Sequence, residues 1–111
     1  MARKYLFLIL AVVVAALAAP PGKKSFTGVI TDSMCPDGDH SSMRMGPTDA
    51  ECTKACIEIH DAQYVLYDGK NTYTLSDQKT PEKFAGKKVI VAGALNAKTK
   101  TIQVESIAAA K

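Results

Sequence analysis

Residues 88–107 read Lys88-Val89-Ile90-Val91-Ala92-Gly93-Ala94-Leu95, then Asn96-Ala97-Lys98-Thr99-Lys100, then Thr101-Ile102-Gln103-Val104-Glu105-Ser106-Ile107, and they decide the fold class. Two runs rich in β-branched side chains flank a polar turn. Val89, Val91 and Gly93 fall on one face of the first strand, and Ile102 and Val104 face inward from the second. An alternation of period two with this composition predicts paired strands buried on one side.

The same pattern repeats upstream. Gln63–Asp68 and Asn71–Ser76 are short strands joined through Asp68-Gly69-Lys70-Asn71. Centring the turn on Gly69-Lys70 sets Leu66 opposite Tyr73 and Tyr64 opposite Leu75, so both pairs share a face, with Gly69 supplying positive φ. Ser25–Thr31 alternates Phe26, Gly28 and Ile30 against Thr27, Val29 and Thr31, a first strand. Thr80-Pro81-Glu82-Lys83-Phe84 reads as a helical turn ended by Gly86, with Phe84 inward.

One longer helix interrupts the strands. Thr48-Asp49-Ala50-Glu51 forms a capping box, in which hydroxyl and carboxylate each satisfy a free amide of the first turn. The helix is expected over 49–59, with Cys52, Ala55, Cys56 and Ile59 as its buried stripe and Thr53, Lys54 and Glu58 on the wet side. The chain is thus mainly β (α+β). Five short strands bury too little as an open sheet, and closure removes exposed edges. The expected architecture is a small five-stranded antiparallel OB-like barrel, with one helix after strand 1 and a short helical turn before strand 4. A twisted open sheet backed by the helix is the alternative.

The N-terminus carries a different signal. Met1-Ala2-Arg3-Lys4 precedes an apolar run from Tyr5 to Ala19, and Ala16-Leu17-Ala18 supplies a small-x-small exit. This reads as a signal peptide, 1–18, cleaved after Ala18. The rival reading is an uncleaved membrane anchor, but the run falls short of the roughly 20 apolar residues of a spanning helix; after cleavage no stable membrane span is expected. Residues 19–24 are a lead-in, 25–107 one domain and 108–111 a tail. The expected location is periplasmic or secreted.

Cleavage removes Arg3 and Lys4 from 14 basic residues, leaving 12 against 11 acids, a net charge of +1 with His neutral. Such a domain lacks the basic stripe that draws in phosphate backbones, which argues against nucleic acid as a partner. Three cysteines are an odd number for an oxidising compartment, so at least one stays free, pairs between molecules or binds a metal. The expected state is a monomer or a thiol-linked dimer.

After Met1, every Met, His and Cys lies between residues 34 and 60: Met34, Cys35, His40, Met43, Met45, Cys52, Cys56 and His60. From Asp32 to Pro47 the chain is an aperiodic loop, and long ordered loops in small domains are functional or tied down. Thioether, thiolate and imidazole suit Cu(I) and, without the methionines, Zn(II). Cys35, His40, Met43, Cys52 and Cys56 are the candidate ligands, copper the favoured ion, with no more than four donors used at once.

A plainer account stands beside this one. Cys52 and Cys56 would be small buried apolar groups, and one of them bonded to Cys35 would staple loop to helix, a loop closure contributing about 3 kcal/mol. Direct bonding of Cys52 to Cys56 is disfavoured, because β-carbons one helical turn apart sit about 5–6 Å from each other against about 3.8 Å in a relaxed disulfide. The methionines could plug the barrel end. His60 suits the negative end of the helix dipole. Asp32, Asp37 and Asp39 lack the later acid of a calcium loop and read as loop solvation.

The segments Thr27-Gly28-Val29-Ile30-Thr31-Asp32-Ser33-Met34-Cys35, with His40 and Met43, Glu51-Cys52-Thr53-Lys54-Ala55-Cys56, and the 88–104 ending resemble a family of small exported bacterial proteins of unknown function, frequent in acidobacteria and other soil bacteria. The resemblance covers nearly the whole mature chain through its Cys…His…Met…Cys-x3-Cys pattern. It implies secretion and a small β-barrel, and no activity; His60 lies outside the pattern.

No Ser/His/Asp arrangement, phosphate-cradling glycine loop or isolated carboxylate pair is present, so catalysis is not expected. A thiol–disulfide enzyme using Cys52 and Cys56 is the weakest alternative, since the chain shows no Cys-x2-Cys and no βαβ pattern around the cysteines. The two leading readings are an exported metal binder and a stapled barrel that binds an envelope ligand.

Overall fold

The structure, a computed structural model, describes residues 23–111; the signal-peptide segment lies outside the described residues. The chain forms β1 (Lys24–Asp32), α1 (Asp49–His60), β2 (Tyr64–Tyr67), β3 (Thr72–Leu75), a 3-10 turn over Thr80–Phe84, β4 (Lys88–Asn96) and β5 (Thr101–Ala109). These are the five strands, helix and helical turn read from the sequence, in the same order.

The strands belong to one sheet in the order β1-β2-β3-β5-β4, and β4 pairs back onto β1. Four ladders are antiparallel. The fifth, between β3 and β5, is parallel and short, pairing Thr74 with Thr101 and Leu75 with Ile102. The expectation of a purely antiparallel sheet is therefore corrected. The reason is topological: a closed ring with an odd number of strands cannot alternate direction throughout, so at least one ladder must be parallel. Backbone bonds from Thr74 N–H to Lys100 O (2.9 Å) and from Ser76 N–H to Ile102 O (3.0 Å) hold this seam.

Leu66 pairs with Tyr73 as expected, and Gly69 in the turn has φ 99°. Ile30, Leu66, Leu75, Val89, Val91 and Ile102 fill the interior with almost no exposure, while Phe26, Tyr73, Phe84 and Val104 pack partly buried around them. The alternation that predicted these faces is the one that builds them.

Thr48 caps α1: its hydroxyl oxygen accepts from Glu51 N–H at 3.2 Å and its hydroxyl donates to Glu51 Oε2 at 3.3 Å. Asp61 ends the helix in the left-handed region (φ 55°), donating its N–H to Cys56 O. The buried face differs from the expected one. Cys52 and Cys56 are buried, but Thr53 joins them at 0% exposure, whereas Ile59 is 65% exposed and Ala55 only half-buried. The helix is turned toward Thr53 because this face covers a polar loop as well as an apolar sheet, and its hydroxyl meets His40 there. Gly86 seats the first turn: its φ is 74°, a β-carbon there would come within 2.8 Å of Ala50 N, and its N–H donates to Ile30 O at 2.8 Å. The start of α1 is thereby fixed against the end of β1, where the candidate site lies.

Candidate metal centre

Asp32 is the last residue of β1 and is fully buried. A buried carboxylate is costly unless several donors face it, and this one is surrounded. Oδ1 accepts the N–H groups of Met34 and Cys35, both at 3.0 Å, which folds the chain into a tight turn straight after the strand. Oδ2 lies 3.1 Å from His40 Nε2. Thr31 donates its hydroxyl to Cys35 O at 2.8 Å, closing the same turn from the other side.

Cys35 and His40 are buried as well. One potential ligand atom from each of Asp32, Cys35 and His40 lies within 4.8 Å of the other two. A carboxylate facing Nε2 selects the tautomer with its proton on that nitrogen, which leaves the lone pair on Nδ1. Nδ1 is buried and has no hydrogen-bond partner; Asp49 Oδ1 is 3.4 Å away but off the hydrogen-bonding direction. Thr53 Oγ1 stands 3.4 Å from Nε2. An unpartnered buried nitrogen in a cluster of ligand atoms asks for an explanation.

The three cysteines differ in their surroundings. Burial pushes the Cys35 thiol up, with the negative charges of Asp32, Asp37 and Asp39 adding to it. Cys56 is raised from 9.0 to about 11, first by burial and then by the negative charge of Asp32. Cys52 donates its S–H to Gly46 O at 3.2 Å and lies 3.5 Å from Arg44 Nη1. Protonated buried thiols are poor nucleophiles, and a metal binding here displaces a proton.

Of the five expected ligands, Cys35 and His40 come together. Cys56 is buried in α1 outside the cluster, Cys52 is engaged with the loop backbone, and Met43 is 40% exposed in a surface cleft. The expected staple is not formed: Cys35, Cys52 and Cys56 are all free thiols. His60 is exposed at the helix end, outside the cluster. Asp37 and Asp39 do organise the exposed loop, accepting from Asp39 N–H (3.0 Å) and Ser41 N–H (2.9 Å). Asp32 corrects the reading of loop solvation, because it is the buried centre of the site. Its signal was Asp-x2-Cys at a strand end, a spacing that turns the chain back over its own carboxylate.

No protein-family model, curated protein or solved structure matches the chain. Among the described residues no helix is long and apolar enough to cross a membrane.

Proposed function

We propose that this protein is an exported, non-catalytic metal-binding domain of the OB-like barrel class, holding one transition-metal ion at Asp32, Cys35 and His40. The observation that carries the reading is the convergence of these three buried ligand atoms beside the unpartnered His40 Nδ1. Thiolate, imidazole and carboxylate together fit Zn(II) and copper and do not suit Mg(II) or Ca(II), which take oxygen donors. Copper is the ion we favour, since thioethers stand next to Cys35.

Supporting the export reading are the basic–apolar–small start of the sequence and its cleavable Ala16-Leu17-Ala18 exit. Of the two expected states, monomer and thiol-linked dimer, burial of all three thiols favours the monomer. Its resemblance to small exported bacterial proteins agrees with export.

Native and denaturing mass spectrometry of protein purified from the periplasm tests this directly. The expected species starts at Ala19, has three reduced cysteines and carries one metal ion. His40→Ala leaves the buried Asp32 Oδ2 without its partner, so it is expected to lower stability and, in the fraction that stays folded, to weaken metal binding by at least about 10–100-fold, the loss typical even of outer-shell partners. A metal-free protein indifferent to added Zn(II) and Cu(I), or affinity unchanged in His40→Ala, refutes the reading.

A further inference from the structure

The loop between β1 and α1 also walls a surface cleft of about 490 Å³. Met34, Cys35 and Met43 line one side, and Tyr67, Lys70 and Thr72 the other. Thr72 donates its hydroxyl to Pro36 O at 2.8 Å, which ties the two walls together. Cys35 thus belongs to two places at once: it lines this cleft, and it is one of the three buried ligands.

The methionines are placed oddly for apolar filling. Met34 and Met43 are 38% and 40% exposed, two of the four large apolar side chains that the described residues leave in solvent. A plug for the barrel end would be buried. An exposed thioether beside a thiol instead offers soft, polarisable donors to water-borne ions. Asp37 and Asp39 also line the cleft, against the single cation Lys70, so its acidic residues outnumber its basic one.

We propose that Met34, Met43 and Cys35 form a landing site for Cu(I), from which the ion moves inward to the buried centre. The inference rests on the metal-binding reading above and assigns Met34 a role. An arriving Cu(I) exchanges the ligands of its donor complex for the two thioethers. Cys35 would then bind it as thiolate, releasing its proton to solvent, and His40, its imidazole held by Asp32, would take over as the thioethers let go. No electron is transferred. Zn(II), which has little affinity for thioether sulfur, reaches the same centre without help from the methionines.

The test compares the full mature chain, reduced and under anaerobic conditions, with Met34→Leu/Met43→Leu, a near volume-conserving exchange that leaves the fold intact. Cu(I) is offered as its bathocuproine disulfonate complex, and transfer is followed by stopped-flow absorbance. Zn(II) affinity is measured against a chromophoric chelator. The double variant is expected to take up Cu(I) about tenfold more slowly or worse and to keep its Zn(II) affinity. Cu(I) transfer at the wild-type rate overturns the landing site while leaving the buried centre standing. Equal loss of Zn(II) binding also overturns it, since the methionines would then be structural. If His40→Ala still captures Cu(I) and only the methionine variant fails, the cleft stands and the buried centre is refuted.

Discussion

The wall made by β4 and β5 and the loop between β1 and α1 are held by opposite means. In the wall, backbone ladders run from Val89↔Ala109 to Asn96↔Thr101, and Val89, Val91 and Ile102 bury side chains that need no partner beyond close contact. In the loop there is no ladder. The chain is fixed by side chains bonding to backbone, from Asp32, Thr31, Asp37 and Asp39, and by one buried carboxylate facing an imidazole. The wall gains from burying apolar area, while the loop must satisfy polar groups that burial would otherwise penalise. One arrangement tolerates substitution of like for like; the other depends on individual atoms.

Paired substitutions probe that difference. Asp32→Ala takes the acceptor from the buried N–H groups of Met34 and Cys35 and from His40 Nε2; at about 1–3 kcal/mol for each buried group left unsatisfied it should cost several kcal/mol in the metal-free protein, and it should abolish metal binding. Ile102→Ala should cost about 2–5 kcal/mol by opening a cavity and leave metal affinity unchanged in the fraction that stays folded. Chemical denaturation and a metal titration read both. If Asp32→Ala behaves like a surface change, the loop is held by something other than its carboxylate.

A smaller effect is expected where the two regions meet. Thr48→Ala removes the acceptor for Glu51 N–H at the start of α1 and should lower stability by about 1 kcal/mol. An unchanged denaturation midpoint would mean that the loop, not the cap, fixes the helix start.

Acid gives the gentlest comparison. Asp68 accepts from Asn71 N–H at 2.6 Å and Lys70 N–H at 2.8 Å, and these two bonds hold its carboxyl below the ordinary 3.8. A carboxyl lowered on folding adds stability that is complete above pH 3.8 and is lost as pH falls through the lower folded value. Asp68→Asn should therefore flatten the stability–pH curve below pH 4 without touching metal uptake at neutral pH. A curve as steep as wild type would assign acid sensitivity to other carboxylates, such as Asp39 or Asp77, which are also lowered by local hydrogen bonds.

The wall was legible in the sequence because period-two alternation is a local property: Val89, Val91 and Ile102 face inward for reasons their neighbours already display. The Leu66–Tyr73 register was legible too, because only one turn placement put apolar residues on a common face. The site was half legible. Cys35 and His40 announced themselves by residue type, but Asp32 looked like any acid opening a polar loop. Its partner His40 is met by Thr53, which arrives from a helix that starts well downstream, and no local pattern encodes that meeting. Thr53 was misplaced for the same reason: hydrophobic periodicity assumes an apolar neighbour, and this neighbour is His40.

The pairing of β1 with β4 has a kinetic consequence. Lys24 lies opposite Gly93 and Val29 opposite Lys88, so the first strand finds one of its two neighbours only after most of the chain exists. Pairings that distant in sequence carry a large loop-closure entropy and slow the search for the native state. A nascent chain therefore cannot lock its ring while the last two strands are still being made. Its ring stays open until β4 and β5 are both available to pair.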